Sequence, residues 1–199
     1  MQALRDWDYE GFRLVHQGLH QPFLDPVFWV ISSTGLGYVQ AACILVAGVF
    51  ALRKSGTPVG LGSLFGFQRA VWWVSPLLVS LALSGIASSL VLKRLIVRDR
   101  PSQLEFAVPQ EGFFHNSFPS GHATTSFAIA WTLLFLTWKT PNAKWGWVLM
   151  AWASLVAFSR VYRGVHWPTD VLGGAALGAV VASLVYVIFA SRIPAGDRG

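Results

Sequence analysis

Charge is nearly absent from long stretches of this 199-residue chain. Asp, Glu, Lys and Arg make up only 12% of it, and hydrophobic residues 54%. An ordinary soluble domain carries about 25% charged residues. The apolar stretches form five runs, at about 27–52, 70–92, 119–138, 145–161 and 168–190, charged only at Arg160 near the end of the fourth and Asp170 near the start of the fifth. At 1.5 Å rise per residue, a helix of about 20 residues crosses a hydrocarbon core of about 30 Å. A segment crossing lipid must pair its own backbone groups, so runs of this length are read as helices. The expected fold class is all-α: an integral membrane helical bundle of about five transmembrane helices, forming one domain over 1–199.

Residues 1–22 are too polar to span. Leu4, Trp7, Leu14, Val15, Gly18 and Leu19 fall roughly on one face, with Arg5, Asp8, Arg13 and Gln17 off it. That pattern predicts an amphipathic helix lying in the membrane interface. Pro22 and Asp25-Pro26 end it. Residues 55–69 read as a loop that dips toward the interface, and 98–118 as the longest loop. Residues 191–199 form a polar tail. The first 26 residues carry Asp6, Asp8 and Glu10 and lack a continuous apolar core, so no cleavable signal peptide is expected. Cys43 is the single cysteine, which excludes an intrachain disulfide and a Cys/His zinc cluster.

The formal net charge is +6. In a soluble chain that would raise nucleic acid as a partner. Here basic loops and a site for anionic head groups account for it, and no nucleic-acid partner is expected. Five spans place 53–69, 139–144 and the C-terminal tail on one side. These carry Arg53, Lys54, Arg69, Lys139, Lys144, Arg192 and Arg198, as a cytoplasmic face should. Trp72, Trp73, Trp138, Trp145 and Trp147 gather at the same boundary. The other side is basic too, with Lys93, Arg94, Arg98, Arg100, Arg160 and Arg163. Substrate binding is the economical reason for those six, and this side is assigned to the extracytoplasmic face of a plasma (inner) membrane.

Three segments meet on that outer side. One is Lys93 to Pro101, which reads K-x6-R-P. The second is Pro119-Ser120-Gly121-His122. The third is Ser159 to Asp170, which reads S-R-x5-H-x3-D. Pro119 suits the first turn of a helix. A helix start presents unpaired N–H groups to an anion, and Gly121 lets the backbone approach it closely. Ser120 adds a hydroxyl and His122 a titratable imidazole. This stretch alone fits either an oxyanion pocket with a proton donor or a helix cap with an interfacial His. A four-residue match such as P-S-G-H arises by chance in a chain this long about once in a thousand, at ~1/20 per position.

Together the three motifs resemble the type 2 phosphatidic acid phosphatase superfamily, over about residues 90–175. That superfamily includes membrane lipid phosphatases, glucose-6-phosphatases, soluble bacterial acid phosphatases and vanadium haloperoxidases. The resemblance implies that His166 is the nucleophile and forms a phosphohistidine, that Asp170 orients it, and that His122 is the acid/base. Spacing by itself shows only that His166, and not His122, has a carboxylate four residues on. Phosphoryl transfer needs positioning and positive charge. Lys93, Arg100 and Arg160 supply three cations, and Ser120 and Gly121 supply uncharged donors. Fixed cations do the work a Mg²⁺ would do, so no metal or cofactor is expected.

The implied function is hydrolysis of a phosphorylated lipid held in the bilayer. The compact five-span chain resembles small bacterial undecaprenyl-diphosphate phosphatases, and undecaprenyl diphosphate is the favoured substrate. Phosphatidic acid, phosphatidylglycerol phosphate and a lipid A phosphate stay open, as does oligomeric state. A non-catalytic lipid-phosphate binding or transport protein would explain the cations but not the His166–Asp170 pair. A vanadate-dependent peroxidase is disfavoured by the five spans. Arg94, Arg98, Asp99 and Arg163, between motif positions, read as solvated or headgroup-facing charges. Tyr162 and Trp167 read as interface anchors, and His16, His20 and His115 as surface residues.

Overall fold

A computed structural model describes residues 2–54, 61–112 and 116–190, without the side chains of 54 and 61–70. Among the described residues the chain is helical, with no strand and seven helices of ten or more residues. They are α1 (Gln2–Arg13), α2 (Asp25–Thr34), α3 (Gly37–Lys54), α4 (Leu61–Ile86), α5 (Gly121–Thr137), α6 (Ala143–Tyr162) and α7 (Pro168–Ala190). Pro168 opens α7 where a missing N–H costs nothing. Among the described residues two helical stretches are long and apolar enough to cross a membrane, Val71–Leu95 and Pro168–Ala190. The bent pair Pro22–Thr34 and Gly37–Arg53 makes a third if taken as one span.

α5 is the axis of the bundle and packs against α7, α6 and α4. Its polar residues follow from that position. Thr124, Thr125, Ser126, Thr132 and Thr137 are all buried. A buried hydroxyl needs a partner, and each has one. Thr124 donates to the Ser120 carbonyl at 2.8 Å, Thr132 pairs with Ser80 at 2.5 Å, and Ser126 accepts from Gln40 at 2.9 Å. A helix enclosed by protein can carry such groups. α7, which faces lipid, keeps Val180, Leu184 and Val187 exposed instead. The glycines at the start of α7 set its distance from α5. A Cβ on Gly178 would lie 2.6 Å from the Thr124 carbonyl oxygen, and one on Gly174 would lie 2.8 Å from that of Ser120.

Four expectations are corrected here. The run 27–52 is not one straight span. It breaks at Gly35-Leu36, and the two halves meet at 67°. The break packs tightly: a Cβ on Gly35 would meet Val156 Cγ1 at 2.6 Å and His122 Cδ2 at 3.0 Å, so only glycine fits there. Second, 61–69 belongs to α4 rather than to a loop. Third, Pro119 precedes α5 instead of starting it. The Phe118–Pro119 bond is cis, Ser120 is the N-cap, and the helix begins at Gly121. Fourth, Tyr162 and His16 are core residues. The Tyr162 hydroxyl accepts from the Gln21 N–H at 2.9 Å and donates to its carbonyl at 3.0 Å. His16 sits in the π-helical turn Leu14–Gly18 that continues α1, with Nδ1 2.8 Å from the Tyr162 carbonyl and Nε2 accepting from the Val108 N–H at 3.0 Å. Its ring lies over Gly164, whose φ of +76° and whose contact with that ring both exclude a side chain. Residues 55–60, His115 and the tail 191–199 lie outside the described residues.

α1 has two working faces. Leu4 and Trp7, with Leu14 and Leu19 just beyond the helix, are exposed as the amphipathic pattern predicts, whereas Val15 of the same predicted face packs against the buried cluster. The opposite face, with Asp8 and Phe12, is buried against the bundle. Phe12 packs with Ala123, Val161, Val171 and Trp167, so α1 closes over the end of the bundle where the motifs meet.

Candidate active site

All three motifs converge at one end of the bundle. After Ile86, α4 widens into a π turn, Ala87–Leu92, and ends as Lys93–Leu95. Such turns are frequent at functional sites, because they re-aim the side chains that follow. The connection 96–118 carries Arg100, α5 begins at Gly121, α6 ends with Arg160, and the turn before α7 carries His166. Lys93, Arg100, Arg160, Gly121, His122 and His166 line one cavity of about 440 Å³.

His166 is fixed from behind. Its Nδ1 lies 3.2 Å from Asp170 Oδ2, one helical turn on. Asp170 is fully buried, and its Oδ2 also accepts the Trp167 N–H at 3.0 Å. A carboxylate only accepts, so Nδ1 carries the proton and donates it. Nε2 then presents its lone pair toward Arg100, whose Nη1 is 3.4 Å away. Arg100 itself is anchored by donating to the Val165 carbonyl at 2.7 Å. Burial, then Arg160, Arg100 and Lys93, hold the His166 imidazole well below its ordinary pKa, while Glu111 acts in the opposite sense. The ring is therefore neutral at pH 7 and nucleophilic at Nε2.

Ser120 is placed differently from the other predicted residues. It is fully buried, and its N–H donates to the Asp170 carbonyl at 3.0 Å. Its Oγ has no partner among the described residues and does not line the cavity. The N–H groups that open α5 precede the first intrahelical bond, from Thr124 to Ser120. They form the positive end of that helix beside Gly121.

Several residues of the site were not picked out from the sequence. Glu111 lines the cavity and forms a two-pronged ion pair with Arg160, one prong at 3.1 Å. Arg160 also donates to Ser32 Oγ at 2.6 Å. Arg163 is buried rather than headgroup-facing, with Nη2 3.2 Å from the Gln110 carbonyl and 3.3 Å from Glu111. Burial pushes the Glu111 carboxyl up, but the Arg160 hydrogen bond and charge, with Arg163, outweigh it and hold the pKa below the usual range. Arg98 is also no solvated charge. It donates to Asp170 Oδ1 at 2.6 Å and to Thr169 Oγ1 at 2.7 Å, and pairs with Asp8. Trp167 donates to the Asp99 carbonyl at 2.9 Å and lies under the Arg98 guanidinium. Arg94 remains exposed, as expected, and His20 pairs with Asp25 at 3.0 Å. Only the break at Ser33-Thr34-Gly35-Leu36-Gly37 had a sequence signal, a run of small residues inside an apolar stretch. Gly35, Leu36 and Gly37 line the cavity. Among the described residues no three His, Cys, Asp or Glu side chains are grouped to hold a metal ion.

One end of this helical bundle thus gathers three cations and two histidines on a single cavity. The chain matches the family model described as PAP2 superfamily over residues 73–194, and it belongs to that superfamily. It is 28% identical over 182 residues to a lipid A 4'-phosphatase of Porphyromonas gingivalis, covering 88% of this chain and 70% of that one. It is 37% identical over 122 residues to a putative undecaprenyl-diphosphatase of Escherichia coli, covering 59% and 57%. Its fold matches the crystal structure of a transmembrane PAP2-type phosphatidylglycerolphosphate phosphatase of Bacillus subtilis with a TM-score of 0.75. That match has 27% identity and covers 98% of this chain and 90% of the other.

Proposed function

We propose that this chain is a metal-independent lipid phosphatase working through a phosphohistidine on His166. The observation that carries the proposal is the convergence of three cations and two histidines on one cavity, with Asp170 on the far nitrogen of His166. Phosphate oxygens are held by Lys93, Arg100 and Arg160, with the start of α5 at Gly121 beside them, while the Ser120 hydroxyl sits buried behind the cavity wall and reaches a phosphate only if its side chain turns. His166 Nε2 attacks phosphorus, and the bond to the leaving oxygen breaks. His122 gives that oxygen a proton. In the second step His122 takes a proton from water, the hydroxide attacks phosphorus, and the phosphorus–nitrogen bond breaks, releasing phosphate and neutral His166.

The favoured substrate is undecaprenyl diphosphate, cleaved to the monophosphate; the likeness to a putative undecaprenyl-diphosphatase supports this. A lipid A phosphate is the second reading, favoured by the longer alignment with a lipid A 4'-phosphatase. In the five-span arrangement the site faces the extracytoplasmic side of the plasma membrane and α1 lies in the interface. The test is phosphate release by the purified protein in detergent with excess EDTA, over undecaprenyl diphosphate, lipid A, phosphatidic acid and phosphatidylglycerol phosphate. Release from the diphosphate at the highest kcat/KM supports the reading. Strict dependence on added metal overturns the mechanism, and preference for another lipid overturns the substrate.

A further inference from the structure

Asp8 is the most unexpected charge in the molecule. It lies on an amphipathic helix far from every motif, yet it is only 2% exposed. An isolated buried carboxylate is costly unless paired and hydrogen-bonded. Asp8 meets that requirement in three ways, two of them at the start of α7. Its Oδ1 accepts the Thr169 N–H at 2.9 Å, its Oδ2 accepts the Thr169 hydroxyl at 2.5 Å, and it pairs with Arg98. The first N–H groups of a helix have no intrahelical partner. α1 therefore caps α7 from outside. Arg98 extends the contact by donating through Nη1 to Asp170 Oδ1 at 2.6 Å while Nη2 pairs with Asp8. The result is an alternating chain of charge, Asp8–Arg98–Asp170, that ends on His166.

We propose that Asp8 and Arg98 are positioning residues of the catalytic site, holding Asp170 against His166 and making α1 part of the catalytic unit. The inference rests on the reading of His166 as nucleophile. Arg98 stands between two carboxylates, so neither anion has it alone. Without Asp8, Arg98 turns its full charge on Asp170 and weakens the support that carboxylate gives the imidazolium. Without Arg98, Asp170 acts on His166 unopposed. The two losses therefore move the His166 titration in opposite directions: down in Asp8→Asn and up in Arg98→Gln. The other charged and titratable groups facing His166 are Lys93 at the end of α4, Arg100 and Glu111 from the connection 96–118, His122 on α5 and Arg160 on α6. None of these changes between the variants.

The test uses the full-length protein in detergent, labelled with ¹⁵N in the histidine rings, the His166 signal being assigned by its loss in His166→Ala. Asp8→Asn keeps an oxygen to accept the Thr169 N–H, so α1 can still dock. The expected result is a displacement of the His166 midpoint by a few tenths of a pH unit or more, downward in Asp8→Asn and upward in Arg98→Gln. Arg98→Lys, which restores the charge, should return toward wild type. With a lipid phosphate as substrate, kcat should fall about 10- to 100-fold with KM changed less than about twofold, as for residues that orient a site without touching substrate. An unmoved midpoint in both variants, or displacement in the same direction, overturns the proposal. Opposite displacements in a wild-type protein that hydrolyses no lipid phosphate would leave the charge chain standing and remove the phosphatase reading.

Discussion

Two carboxylates flank the cavity, and their placements are opposite. Asp170 stands behind His166, fully buried, with its oxygens taken by His166, Trp167 and Arg98. Glu111 stands in front, partly exposed, on the guanidinium of Arg160 that a phosphate would need. The rear of the site is complete without a ligand: every charge there has its partner. The front is held by an internal carboxylate in the position of an anion. A complete rear fixes the tautomer of His166, whereas a front closed by its own acid must exchange one anion for another. Rear substitutions should therefore act on kcat, and front substitutions on apparent affinity.

The largest expected effect is at the rear. His166→Ala removes the proposed nucleophile and should lower kcat roughly 10⁴-fold or more, while binding of the lipid phosphate persists in equilibrium dialysis. Turnover within tenfold of wild type would dismiss His166 from that role. Arg160→Gln comes next, because Arg160 serves both regions. It should raise KM and lower kcat together, by about 10²- to 10³-fold in kcat/KM, the scale of losing one donor to the transition state. A change confined to KM would make Arg160 a pure binding residue and blur the division. A smaller effect concerns pH. Burial and the surrounding cations hold His166 well below its ordinary value. The acid limb of kcat/KM, where His166 becomes protonated and loses its lone pair, should accordingly fall below about pH 6.5. An acid limb at pH 7 or above would contradict a buried neutral ring.

The rear and the front also differ in how readable they were. His166 and Asp170 are four residues apart, and a helical turn beginning at Pro168 brings them together. The spacing allows that contact, and the family resemblance implies it. The apolar run 168–190 coincides with α7 for the same reason, since lipid exposure forces continuous hydrophobicity. Glu111 lies 49 residues from Arg160, in a connection without a motif, and no local pattern announces it. Arg98 looked like one more charge at a span end because its partner Asp8 is 90 residues away. The break at Gly35 is partly legible. The run Ser32-Ser33-Thr34-Gly35 is a signal of small residues, but only the packed bundle shows how closely Val156 and His122 approach Gly35. His16 and Tyr162 were misread for a related reason. Their polar atoms suggest an interface, yet each finds a backbone partner inside the fold.

The smallest expected effect is the most direct test of the front. Glu111 is ionised at neutral pH because Arg160 and Arg163 hold its carboxyl below the usual range. It therefore competes with any anion for Arg160. Glu111→Gln keeps the shape and removes the charge, and should tighten product inhibition by inorganic phosphate about three- to tenfold, or ~0.7 to 1.4 kcal/mol. The sign of the pH dependence follows. As pH falls through the depressed pKa of Glu111, the wild-type carboxyl takes up a proton and releases Arg160, so wild type comes to resemble the variant. The ratio of wild-type to variant inhibition constants should thus be largest near neutrality and shrink toward one on acidification. The changing charge of phosphate itself is common to both proteins and cancels in that ratio. Weaker inhibition in Glu111→Gln would mean that the carboxylate orients Arg160 for the phosphate instead of competing with it. Glu111 would then belong with Asp170 as a supporting acid, and the front of the site would be as complete as the rear.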